Sequence, residues 1–164
     1  MIGDAIRDRV AEWLAAGDPV AVATIVRIRG SSSQPLASRM VMTSDNRFEG
    51  AVSGGCVETD VYETAQAVLN GGGPLMLHYK KVENPVIEIG LNCNGMIDVL
   101  VESLTPDLFE MLNGRDCALV TVCDPRTPDD PGALHMRVDN GQRSPAILSH
   151  EGMDQVHAAV RTAL

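Results

Sequence analysis

Aromatic residues are scarce in this chain, which has one Trp, two Tyr and two Phe in 164 residues. Its core must therefore be filled by aliphatic side chains and methionine. Long apolar runs are missing too. None approaches the ~20 residues that a membrane-spanning helix needs. The start, Met1-Ile2-Gly3-Asp4-Ala5, lacks the basic-then-apolar order of a secretory signal. These absences predict a cytoplasmic protein without a membrane span. Positive charge is also in deficit. A formal net charge of −9 argues against a nucleic-acid or anionic-membrane partner, which would favour a basic face. One local exception is the group Arg27, Arg29, Arg39 and Arg47, which reads either as a locally positive region or as charges on strand ends. Metal-site spacing is absent: Cys56, Cys93, Cys117 and Cys123 form no CxxC pair, and His78, His135, His150 and His157 are scattered. Four cysteines in a cytosolic chain are expected to be reduced. There is no GxGxxG, no P-loop lysine, no GxSxG elbow, no HExxH and no evident Ser–His–Asp set.

The apolar pattern predicts the elements. Ile6, Val10, Trp13 and Leu14 recur at helical spacing, and Gly17 and Pro19 end that helix. Val20 to Ile28 is an almost unbroken apolar run, expected to be a central strand covered on both faces. It empties into the polar loop Arg29-Gly30-Ser31-Ser32-Ser33-Gln34-Pro35. Arg39 to Thr43 and Arg47 to Val52 read as a hairpin around Ser44-Asp45-Asn46. A helix with Val57, Val61, Ala65, Val68 and Leu69 on its buried stripe follows, stopped by Asn70-Gly71-Gly72-Gly73-Pro74. Leu75 to Tyr79, Val86 to Ile89 and Met96 to Glu102 are expected strands. Thr105 caps a short helix with Pro106 at its first position and Leu104 stapled onto Phe109. Ala118 to Val122 is a buried strand, with Cys117 and Cys123 at or near the core. Ala133 to Val138 and Ala146 to Leu148 are expected to pair around Asn140-Gly141, and His150 to Leu164 to form a C-terminal helix. Strands and helices alternate irregularly, with hairpins between. This argues for an α/β fold of α+β-like character, a mixed β-sheet flanked by helices. No linker divides the chain, so residues 1–164 read as a single domain.

Three motifs carry chemistry. In Ser53-Gly54-Gly55-Cys56-Val57-Glu58 a thiol falls within a residue or two of a helix start. Helix N-termini present unpaired N–H groups and partial positive charge, which favour a thiolate or a bound anion. Glu58 and Asp60 suit the helix dipole but oppose thiolate formation. A small buried cysteine after a tight turn explains the local pattern equally well. In Gly90-Leu91-Asn92-Cys93-Asn94-Gly95 two amides flank a thiol and offer donors and acceptors to a polar ligand; alone, it reads first as an Asn-Gly turn. Gly30 to Ser33 ends a strand with a glycine–serine loop, a common way to hold a phosphate.

Taken in order, these motifs resemble the XdhC/CoxI family. The resemblance runs from about Val20 to Glu102: a strand, Gly-Ser with a nearby proline, a methionine-bearing strand, a hairpin, Gly-Gly-Cys-x-Glu opening a helix, and Gly-Leu-x-Cys-x-Gly leading into a strand. The chain departs from the family pattern at Leu36 after Pro35, at Ser53 before the two glycines, and at Asn94 after Cys93. Many members carry a C-terminal Rossmann domain, so this chain resembles a stand-alone N-terminal domain. The resemblance implies an accessory protein, not a turnover enzyme, for maturing a molybdenum hydroxylase such as xanthine dehydrogenase or carbon monoxide dehydrogenase. It implies the molybdenum cofactor as cargo, as molybdopterin or its cytosine dinucleotide, with the apo-hydroxylase and a cysteine desulfurase as partners. The residues it points to for the cofactor are Gly30, Ser31, Ser32, Arg39, Ser53, Gly54, Gly55, Cys56, Glu58, Asn92, Cys93, Asn94 and Gly95. Cys56 is the expected sulfur relay or ligand, and Cys56 and Cys93 the expected transient contacts with molybdenum. Two other readings compete: a cysteine-dependent sulfurtransferase using Cys56, and a non-catalytic subunit-docking domain. A homodimer is the default oligomer.

Overall fold

The computed structural model describes residues 4–82, 89–91, 94–113, 117–123, 134–139 and 142–143. Helix α1 (Asp4–Ala15) leads into strand β1 (Val20–Arg29). Strands β2 (Arg39–Thr43) and β3 (Phe48–Gly50) form the expected hairpin. Helix α2 (Glu58–Leu69) precedes β4 (Leu75–Lys80) and β5 (Met96–Ser103), and α3 (Pro106–Leu112) follows. The five strands make one sheet in the order β3-β2-β1-β5-β4, and every neighbouring pair is antiparallel. The expected α/β fold of a sheet flanked by helices is present, with the pairings of these five strands all antiparallel. A second sheet holds β6 (Cys117–Val122), β7 (Leu134–Asp139) and β8 (Gln142–Arg143) in that order. Asp139 pairs with Gln142 and Val138 with Arg143, so a returning strand begins at Gln142. Residues 83–88 and 144–164 lie outside the described residues, so the expected strand at Val86, the arm at Ala146 and the C-terminal helix are not described.

Both faces of the first sheet carry core. On one face, Ala21, Ala23 and Ile25 of β1, Met40 and Met42 of β2, and Ile97, Val99 and Val101 of β5 pack under Val61, Ala65 and Val68 of α2. On the other, Val20, Val22 and Val41 meet Val10 and Trp13 of α1 and Leu108, Phe109 and Leu112 of α3. Methionine and valine fill the space that aromatics usually fill, each buried side chain contributing about 1.5–3 kcal/mol. Tyr79 anchors α2 to β4 by donating its hydroxyl to Asp60. Thr105 accepts from the Leu108 N–H at 3.2 Å, and Leu104 and Phe109 share one cluster, as the capping pattern predicts.

One irregularity positions the functional end of the sheet. The β1–β5 register shifts between Ile25 and Arg27. Before the shift the odd-numbered residues of β1 face α2; after it Ile28 does. A β-bulge inserts one residue and so exchanges the faces that follow. Arg27 and Arg29 are thereby kept out of the α2 core.

Candidate functional site

The loop after β1 lies between the two glycine–cysteine motifs. Gly30 holds φ +75°, and a Cβ on it would sit 2.9 Å from the Asn94 carbonyl oxygen. Gly95 packs so tightly against the Ser31 carbonyl that any Cβ would overlap it. On the other side, a Cβ on Gly54 would lie 3.9 Å from the Ser33 hydroxyl. Gln34 donates its side-chain amide to the Ser53 carbonyl at 3.3 Å. The loop itself is braced where Ser32 accepts the Gln34 N–H at 3.3 Å. Gly30, Ser31, Ser32, Ser53, Gly54 and Asn94–Gly95 are therefore brought together at one end of the sheet, with Gly55 and Cys56 continuing the Ser53 turn. Leu91, which opens the second cysteine segment, is buried and joined to the end of β4: its N–H donates to Lys80 at 2.8 Å and its carbonyl accepts from Val82 at 3.2 Å. Asn92 and Cys93 lie outside the described residues.

The Ser53–Glu58 turn is held from within. The Glu58 carboxylate accepts from the N–H groups of Ser53 (2.7 Å), Gly55 (3.0 Å), Val52 and Val57 (each 3.3 Å), and from the Ser53 hydroxyl. The Ser53 oxygen in turn accepts from the Cys56 and Val57 N–H groups at 2.9 and 3.3 Å. Ser53 is buried and Glu58 half-buried. Burial is the largest single influence on Glu58 and pushes its carboxyl up; the bonds from Ser53 and from the turn's backbone outweigh it and hold the carboxyl below the ordinary value. The side chains of Ser53 and Glu58 thus satisfy N–H groups that a helix start otherwise leaves open. Cys56 precedes the first helical residue by two positions and is half-buried against the α2 core. Gly54 and Gly55 leave its approach exposed, Gly55 at φ +98° with nothing within 4 Å of a Cβ.

Arg39 is not on that face. Its neighbours Met40 and Met42 join the α2 core, whereas Val41 joins the α1–α3 core, and alternation puts Arg39 with Val41. Among the described residues, its buried Nε and Nη1 have no hydrogen-bond partner. Burial lowers its pKa, partly offset by the charge of Glu102. Glu102 accepts from, or pairs with, His135 Nε2 at 2.8 Å, and His135 Nδ1 meets the Thr121 hydroxyl at 3.0 Å. Arg47, another of the clustered arginines, bonds Asp18 and Asp45 and lies over the Trp13 ring. Ser33 closes the glycine–serine motif and Gln34 lies just beyond it; the turn-forming composition of the loop signals their segment but not their reach to Gly54 and Ser53. Among the described residues no group of three or more His, Cys, Asp or Glu is placed to hold a metal ion, and no helix is long and apolar enough to cross a membrane.

A helix-flanked antiparallel sheet with a thiol-bearing glycine turn at its end defines the class of this protein. Residues 13–80 match the model of the XdhC and CoxI family. It is similar to the Escherichia coli molybdenum cofactor insertion chaperone PaoD, 34% identical over 93 residues that cover 57% of this chain and 29% of PaoD. It is also similar to a Bacillus subtilis protein described as a probable xanthine dehydrogenase subunit, 31% identical over 101 residues that cover 58% of this chain and 30% of that protein. The chain therefore spans less than a third of these curated relatives. Its fold matches a crystal structure described as a xanthine dehydrogenase from Bacillus halodurans, with a TM-score of 0.67 and 23% identity, over 92% of this chain and 47% of the other.

Proposed function

We propose that this chain binds the molybdenum cofactor and delivers it to a cytoplasmic molybdenum hydroxylase of the xanthine dehydrogenase type. The observation that carries this reading is the meeting of the Gly30 loop, the Ser53–Cys56 turn and the Asn94–Gly95 segment at one end of the sheet. The family segment and the insertion chaperone among the relatives support it. In this reading the Cys56 thiol contacts the soft metal centre. The exposed backbone at Ser31, Gly54 and Gly55 faces the cofactor, and Asn94 meets its polar pterin edge. Asn92 and Cys93 enter through the family resemblance. Ser53 and Glu58 act on the cofactor indirectly, by fixing the turn that presents Cys56.

The test is retention and transfer. The purified chain, loaded with molybdenum cofactor and passed through gel filtration, keeps the cofactor. Cys56→Ala and Cys93→Ala weaken retention or block activation of the apo-hydroxylase. Full retention and full activation by the double variant would remove the thiols from the function.

A further inference from the structure

The face of the sheet opposite α2 is covered by α1 and α3 only over part of its width. Where β1, β5 and β4 run on, it forms an open cleft of about 220 Å³ lined by Arg27, Arg29, His78, Lys80, Met96 and Asp98, with Tyr79 at its side. The register sets these residues in two cross-strand rows: Arg29–Met96–Lys80 and Arg27–Asp98–His78. In the second row the buried Asp98 carboxylate is fully engaged, bonded by the Arg27 guanidinium on one oxygen and His78 Nδ1 at 2.8 Å on the other. In the first row Arg29 and Lys80 flank the exposed Met96, and among the described residues neither makes an ion pair. Three permanent cations thus face one carboxylate, in a chain whose net charge is −9.

We propose that this cleft is an anion subsite for a phosphate ester or pyrophosphate group of a small-molecule ligand. Arg29 and Lys80 are its binding residues, and the Arg27–Asp98–His78 row is its positioning floor. The inference rests on the cofactor-binding reading in one respect. Arg29 adjoins Gly30 and Met96 adjoins Gly95, so the cleft opens beside the meeting point of the motifs, and the phosphorylated end of the same cargo fits it. Arginine and lysine on either side of an open floor supply charge-assisted bonds to phosphate oxygens. The β1 bulge is what delivers Arg27 and Arg29 to this face. The row also explains why an acidic protein concentrates cations on one strand end.

The experiment titrates inorganic pyrophosphate into the full chain and follows binding by calorimetry and backbone amide shifts. The expected result is saturable binding that weakens with added salt, with shifts centred on residues 27–29, 78–80 and 96–98. Arg29→Gln and Lys80→Gln each weaken it by roughly tenfold or more, while the exposed Lys81→Gln leaves it unchanged. No saturable binding, or an equal loss in the Lys81 variant, overturns the proposal. Cofactor retention measured in parallel separates the two readings. Retention that depends on Cys56 without pyrophosphate binding removes only the subsite. Pyrophosphate binding at this cleft in a chain that retains no cofactor removes only the cofactor function.

Discussion

Gly95 lies against the carbonyl of Ser31, with no room for a Cβ between them, and such a Cβ would also crowd the Arg29 carbonyl oxygen at 3.2 Å. This contact joins the second cysteine motif to the loop after β1. Gly95→Ala must push two backbone segments apart, and overpacking of this kind costs about 1–3 kcal/mol. Gly55→Ala is the contrast. It carries only the strain of a positive φ, about 1–2 kcal/mol, because nothing crowds its Cβ. Urea unfolding of both variants is expected to show the larger loss in Gly95→Ala, together with amide shifts in residues 30–33 that Gly55→Ala does not cause.

Glu58 holds the Cys56 turn as a carboxylate. Its folded pKa is depressed, so its stabilisation is complete above the ordinary glutamate value of 4.5 and is lost as pH falls below that value through the lower folded one. Glu58→Gln is therefore expected to destabilise the protein at pH 7 by about 1–3 kcal/mol, as bonds to a charged acceptor are lost. It should also flatten the fall in stability between pH 4.5 and the acid limit. Denaturant midpoints measured from pH 7 down to pH 3 check both. An unchanged acid slope in the variant would show that Glu58 is not the titrating group.

Glu102 joins the two sheets. It lies on β5, bonds His135 on β7, and its charge partly offsets the burial of Arg39. Removing it leaves the His135 imidazole without its acceptor and takes away the charge that offsets the burial of Arg39. Breaking a buried pair from one side costs about 3–5 kcal/mol, so Glu102→Ala is expected to lower the thermal midpoint sharply. His135→Gln, which can still donate to Glu102, should cost much less. Comparable losses in the two variants would mean that the carboxylate does not serve Arg39.

Much of this fold is legible in the chain because local signals and burial agree. Thr105-Pro106 caps α3, Gly17 and the Asn70-Gly71 stop end α1 and α2, and the apolar run from Val20 forms the central strand. The three motifs are recognisable because each needs glycine for a close approach, and those approaches prove to be to one another: Gly30 to Asn94, Gly95 to Ser31, Gly54 to Ser33. What the chain conceals depends on register. The bulge after Ile25 has no glycine or proline to announce it, so Arg27 and Arg29 look like the end of a doubly buried strand. His78 and Lys80 join them only through the pairing of β4 with β5. Arg39 is adjacent in sequence to the loop yet alternates to the opposite face. Serine and glutamate at a helix start serve anions and turns alike, and it is only the fold that shows Ser53 and Glu58 bonding each other to hold the turn.

The proposed function turns on the Cys56 thiol at the meeting point of the motifs. It is probed most sharply by the equilibrium affinity of the full chain for molybdenum cofactor, read by pterin fluorescence, in the wild type and in Cys56→Ala. A thiol that contacts the cofactor requires affinity at least tenfold weaker in the variant, with an unchanged unfolding midpoint. Equal affinity in the two proteins would rule that contact out.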